Sequence, residues 1–151
     1  MEPGPKSPRE PGFAGSGGEI IIADPRWHRL VPHARRIIAR AMAQCGCAAT
    51  VILTDDLTIK RLNARDRAKN KPTNVLTYEM PAEIMLASGV MAREARIAGK
   101  SVGDHLAHLV IHGALHLAGH EHEHVGDAKR MERTETRLLA RLHVANPWRQ
   151  K

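Results

Sequence analysis

The stretch LAHLVIHGALHLA, residues 106–118, constrains this chain more than any other. Apart from three histidines, every residue in it is apolar or glycine. A helix that is apolar on all sides is buried, so the rest of the fold has to wrap around it. His108, His112 and His116 recur at every fourth position. They stack along one stripe, with neighbouring Cβ atoms roughly 5–6 Å apart. Two imidazoles so placed can reach one zinc ion at about 2.0–2.1 Å. Gly119 offers a left-handed residue to end the helix. The chain then turns back through HEHEH, residues 120–124.

The resulting spacing, His-x3-His-x5-His, selects His112, His116 and His122 as metal ligands. His120, Glu121 and His124 compete for the third place. His108 either supports the ligands from behind or faces the substrate, or is simply a packed histidine, and His120 is a second candidate for a supporting group. A zinc ion held by three histidines keeps a fourth position for water, whose pKa falls to about 7. The position after His112 is Gly113, where zinc proteases of the His-Glu-x-x-His type carry their base. Peptide hydrolysis therefore loses its usual proton acceptor.

Hydrophobic residues make up 42% of the 151, enough for one core. Only Phe13, Trp27, Tyr78 and Trp148 are aromatic, so that core is aliphatic. No apolar run approaches the roughly 20 residues of a membrane-spanning helix. The opening MEPGPKSPREPGFAGSGG lacks the apolar segment of a secretory signal, and its Pro, Gly and Ser content predicts a disordered tail over residues 1–18 ahead of a domain at 19–151. Cys45 and Cys47 stand too close for an ordinary disulfide, which predicts reduced thiols and a cytoplasmic protein. The net charge is +7, and residues 26–71 carry eleven Lys and Arg against three Asp. Such a segment attracts polyanions, RNA among them, with Arg61, Arg65, Lys69 and Lys71 as the candidate contacts.

Strands are predicted at residues 19–23, 49–54, 73–79 and 83–87, each a short apolar or β-branched run. Helices are predicted at 27–44, from Asp55 or Asp56 to about 64, at 88–99, at 101–118 behind a Ser101–Asp104 capping pair, and at 126–142. The basic stretch RDRAKNKPT reads as a loop. Together they predict a single α+β domain, a small mixed four-stranded sheet packed with about five helices, with the metal site on the central buried helix.

HGALHLAGHEH resembles the H-G-x-L-H-L-x-G-Y-D-H signature of the YbeY family of metal-dependent endoribonucleases in ribosomal RNA maturation. A second block, LNARDRAKNKPTNVLTY at residues 62–78, is similar to the family's L-N-x-x-x-R-x-K-D/N-x-P-T-D/N-V-L-S-F. The resemblance implies one zinc ion on His112, His116 and His122, and it places Arg67 on the family's arginine beside the metal. It also implies a single-stranded or ribosomal RNA substrate, with ribosomal proteins as further partners. A guanidinium fork suits a phosphodiester because it can pair two phosphate oxygens. Asn63 and Lys69 are candidate helpers or braces of the basic loop. Two departures stand out. Gly119-His120-Glu121-His122 replaces Gly-Tyr-Asp-His, and Ala82-Glu83-Ile84 replaces Gly-Asp-Ile, setting a longer acid on an expected sheet edge near the cleft. A non-enzymatic alternative is a ribosome-assembly factor whose zinc is structural, closed by a fourth ligand from the extra histidines or Glu121.

Overall fold

The computed structural model describes residues 18–119 and 125–148. The expected tail, apart from Gly18, lies outside the described residues, and so do His120, Glu121, His122 and His124. Four strands form one sheet: β1 (Ile20–Ile22), β2 (Thr50–Thr54), β3 (Val75–Glu79) and β4 (Ala82–Ala87), in the order β1-β2-β4-β3. β1, β2 and β4 run parallel, and β3 pairs antiparallel to β4 across the Met80–Pro81 turn. β4 is therefore an inner strand, so Glu83 stands opposite Tyr78 inside the sheet rather than on its edge. The described residues form a single α+β domain with six helices.

The sixth helix comes from a break. The apolar spacing predicts one helix over 27–44, but the structure divides it into α1 (Arg26–Leu30) and α2 (Ala34–Cys45). Pro32 disfavours helical backbone at the residue before it, and Val31 is accordingly extended, with φ −136° and ψ 88°. The turn frees α1 to bury Trp27, whose indole N–H donates to the carbonyl of Thr54 at the end of β2, 2.9 Å away.

α3 (Asp56–Arg67) begins where Asp55 accepts the amide of Thr58 at 2.7 Å. It runs one turn past the expected end, because Ala68 adopts the left-handed conformation (φ 58°) that usually calls for glycine. Arg65 and Arg67 thus sit in the last helical turn, where cations complement the exposed carbonyls, and not in a loop. Asn63 is buried and donates to the carbonyl of Lys71 at 2.9 Å, which braces the following turn.

α4 (Ser88–Ala98) follows β4, α5 (Val102–Leu117) is the apolar helix, and α6 (Val125–Arg141) is the last. Ser101 caps α5 by accepting the amide of Asp104 at 3.1 Å. Successive side chains of a strand point to opposite faces. On β4, Ile84 and Leu86 join the main core with α2, α5 and α6, while Met85 and Ala87 pack with Ile59 and Leu62 of α3. α5 touches β3, β4, α2, α4 and α6, so the predicted central buried helix holds that place. No helix among the described residues is long and apolar enough to cross a membrane.

Gly113 sets how closely α5 seats on the sheet. A Cβ there would stand 3.0 Å from Ile84 Cγ2, 3.3 Å from Thr77 Cγ2 and 3.4 Å from Val75 Cγ2. At Gly126 in α6 the one described atom that an added Cβ would meet belongs to the Arg130 guanidinium, 3.7 Å away. Helix propensity favours alanine over glycine by about 0.8–1 kcal/mol in a helix interior such as Gly113, with the same sign at Gly126 in the first turn of α6, whereas overpacking a core costs about 1–3 kcal/mol. Opposite signs are expected in urea unfolding: Gly113→Ala lowers the midpoint and Gly126→Ala raises it. A rise in both would remove the close approach as the reason for Gly113.

Candidate metal centre

Three of the four described α5 histidines stack on one side of the helix, and α6 brings a carboxylate against them. Met131, Glu135, Leu138 and Leu139 occupy one stripe of α6, and all four are buried. Glu135 has no exposed surface, yet it lies on the apolar side of an amphipathic helix. Its Oε2 accepts from His112 Nδ1 at 2.5 Å, and its Oε1 from His108 Nε2 at 3.3 Å and Trp148 Nε1 at 3.1 Å. Burial by itself raises the carboxyl pKa, but the hydrogen bonds from His108 and His112 outweigh it and bring the value down to about 2. The group is an ionised acceptor at neutral pH, so each ring facing it donates.

The 2.5 Å contact with this carboxylate favours the His112 tautomer that carries its proton on Nδ1. With the proton on Nδ1, its Nε2 presents a lone pair, and it faces His116 Nε2 at 3.1 Å. An ion held tetrahedrally at about 2.0–2.1 Å sets its ligand atoms roughly 3.3 Å apart. The His112–His116 pair therefore fits a zinc-like cation with little movement, and the Glu135–His112 bond has the form of a carboxylate bracing a metal-bound imidazole. A second donor set overlaps the first: one atom each from His108, His112 and Glu135 lie within 4.8 Å of one another. His108 is the deeper group, and its Nδ1 is buried with no hydrogen-bond partner among the described residues. His112 is a quarter exposed and opens onto a cavity of about 310 Å³ lined by Ala128, Met131, Glu132, Glu135 and Trp148.

Of the expected ligands, the structure brings His112 and His116 together, and His122 lies outside the described residues, as does His120. Glu135 is the residue that spacing alone does not single out. Its signal is phase: it stands four after Met131 and three before Leu138, on a stripe otherwise apolar. His105, one turn before His108, turns instead to Glu94, with Nε2 2.9 Å from Oε1. The cysteines are free thiols, and burial, with Cys47 nearby, pushes Cys45 up to about 11, so it is a neutral packing group at pH 7.

Arg67 is exposed and donates from Nη2 to the carbonyl of Thr77 at 2.6 Å, with its guanidinium 5.0 Å from the centroid of the Tyr78 ring. The Tyr78 hydroxyl donates to Asp66 at 2.6 Å, and Arg65 grips the same carboxylate through two bonds of 2.7 and 2.8 Å. Those hydrogen bonds, Arg65 first and Tyr78 second, hold Asp66 well below the usual carboxylate range. Of the candidate RNA contacts, Arg65 is thus engaged by Asp66, while Arg61, Lys69 and Lys71 are exposed on α3 and the turn after it. Thr77 links this group to the histidines, because its methyl lies beside Gly113, the neighbour of His112. The same contact removes the protease reading: a side chain at 113 would be driven into the sheet, not towards a metal.

Residues 19–143 match the family model described as Endoribonuclease YbeY. The Endoribonuclease YbeY of Gluconobacter oxydans is 45% identical, covering 93% of this chain and 93% of its own length. Those of Bordetella avium and Ruegeria pomeroyi are 39% and 36% identical, over 92% and 86% of this chain and 95% and 96% of theirs. A Thermotoga maritima protein solved in solution superposes with a TM-score of 0.53 at 20% identity, covering 89% of this chain and 97% of that one, which is a likeness of fold. The resemblance in the two motifs thus extends over residues 19–143, and the chain belongs to the endoribonuclease YbeY family.

Proposed function

We propose that the protein is a zinc-dependent endoribonuclease that cleaves single-stranded stretches of ribosomal RNA during ribosome maturation in the cytoplasm, with ribosomal proteins as partners. The observation that carries this reading is the pair of converging His112 and His116 ring nitrogens, backed by the buried Glu135 carboxylate, in a chain of a ribonuclease family. His112, His116 and His122 would hold the ion. Bound zinc supplies Lewis acidity and a water of pKa about 7.

The chain's own residues do the rest. Glu135 keeps the proton on His112 Nδ1 and so keeps Nε2 available as a ligand atom. Arg67 is held by the Thr77 carbonyl and the Tyr78 ring, with the remaining N–H groups of its fork available to phosphate oxygens. A fixed cation of this kind stabilises negative charge that builds as the phosphodiester opens. The partial exposure of His112 leaves the substrate a way in.

Cleavage of a single-stranded ribosomal RNA fragment tests the reading. Activity is expected to vanish with chelator and return with zinc, and to be lost in His116→Ala. Arg67→Ala is expected to lower kcat by about a hundred- to thousandfold, the range for removing one transition-state donor. Equal cutting by all variants would reduce the activity to contamination, and RNA binding without cleavage would favour the assembly-factor role.

Glu135 has its own test. Glu135→Gln keeps the shape but replaces an ionised acceptor, and zinc affinity measured by competition with a chromophoric chelator is expected to fall about 10- to 100-fold. Unchanged affinity would make the carboxylate a packing group only.

A further inference from the structure

The charge density of residues 26–71 draws attention to α3, but helical geometry gathers cations elsewhere. Lys129, Arg133, Arg137 and Arg141 recur every fourth residue of α6, which places them in one row along the helix. All four are exposed, and among the described residues none has an ion-pair partner. The nearby Asp127 is taken by Arg130. Like charges at this spacing repel one another, so the row is a cost to the isolated helix.

A groove of about 540 Å³ runs beside the row, walled by Lys129, Arg133 and Arg137, with Glu132 as its acid. Trp148 lines this groove and also the cavity that opens onto His112, so the two share the indole as a wall. Trp148 is 46% exposed, an unusual position for the largest apolar side chain. It is nevertheless fixed: its amide donates to Asn146 Oδ1 at 2.8 Å, its indole N–H to Glu135, and its ring packs edge-on to His108 with centroids 5.5 Å apart. A rigid, half-exposed indole in the wall of a cationic groove is the chemistry that binds single strands. The cations follow phosphates, and the ring stacks a base that a duplex would keep paired.

We propose that the α6 groove, from Lys129, Arg133 and Arg137 to Trp148, is a track for single-stranded RNA that delivers the strand to the cavity beside His112. The inference takes from the proposed function that RNA is what the protein binds, and adds where the strand lies. Glu132, which also lines the groove, repels phosphate and can accept from a base, which places the backbone on the cation row.

The test uses the full-length protein with a twelve-nucleotide oligouridylate and with its duplex on oligoadenylate. Binding is read by anisotropy across a salt series and by tryptophan quenching in stopped flow, before cleavage proceeds. Trp27 is fully buried, so quenching reports Trp148. Replacing Lys129, Arg133 and Arg137 together by Gln is expected to lower the slope of log K against log salt by about 2, at roughly 0.7 for each phosphate that is no longer neutralised. Trp148→Ala is expected to abolish the quench and raise KM about tenfold, while Trp148→Phe, which keeps a stacking ring, retains affinity. A duplex bound as tightly as the single strand, or a salt slope unmoved by the triple substitution, overturns the track. RNA cleaved with KM unchanged in both variants also overturns it and leaves the nuclease reading standing. Quenching and salt slope as expected with no cleavage would uphold the track and remove the nuclease reading.

Discussion

The site and the packing of α6 both depend on one buried carboxylate. Taking an ionised acid out of water costs several kcal/mol unless hydrogen bonds replace its hydration. Glu135 meets that cost with three ring N–H groups, from His108, His112 and Trp148. The donors come from α5 and from the segment after α6, so the carboxylate ties the last helix and the chain beyond it to the central one. An apolar residue at 135 would pack the same space, but it would leave the imidazole tautomers unassigned. The structure thus uses a costly buried charge where a Leu would serve stability, and what it gains is the direction of two ring nitrogens.

How much of this is legible in the sequence differs by element. α5 is legible throughout, because its cap, its apolar surround and its histidine spacing agree. The α1–α2 break is harder to see: Trp27, Leu30, Ala34 and Ile38 keep a helical spacing across it, and only Pro32 marks the interruption. The end of α3 is hidden for a different reason. Ala68 takes a backbone conformation that no side chain advertises, so the helix continues through Arg67 while composition reads as loop. Glu135 falls between the two cases. An acid on an amphipathic helix ordinarily faces water, and its burial follows only from counting its phase against Met131, Leu138 and Leu139.

The two halves of the candidate site sit on different layers. The histidines belong to α5 and face α6, while Arg67 belongs to α3, whose side chains pack on the opposite face of the sheet. β3 is the shared wall. Val75 and Thr77 face Gly113, Leu76 and Tyr78 face α3, and the Thr77 carbonyl holds Arg67. Strand alternation therefore couples the guanidinium to the metal-side helix through one residue. The glycine that excludes a protease base is also what lets α5 come close enough for that coupling.

Charge follows the same lesson about geometry. Residues 26–71 are the most basic by count, but several of their cations are already engaged: Arg26 with Asp24, Arg35 with the Ile20 carbonyl, Arg65 with Asp66. A polyanion competes poorly for a guanidinium bonded twice to a neighbouring carboxylate. α6 holds fewer cations, yet its repeat of four puts them on one line beside an exposed indole. Density along the chain measures how many charges there are, and the helical period decides how many of them one strand of phosphates can meet.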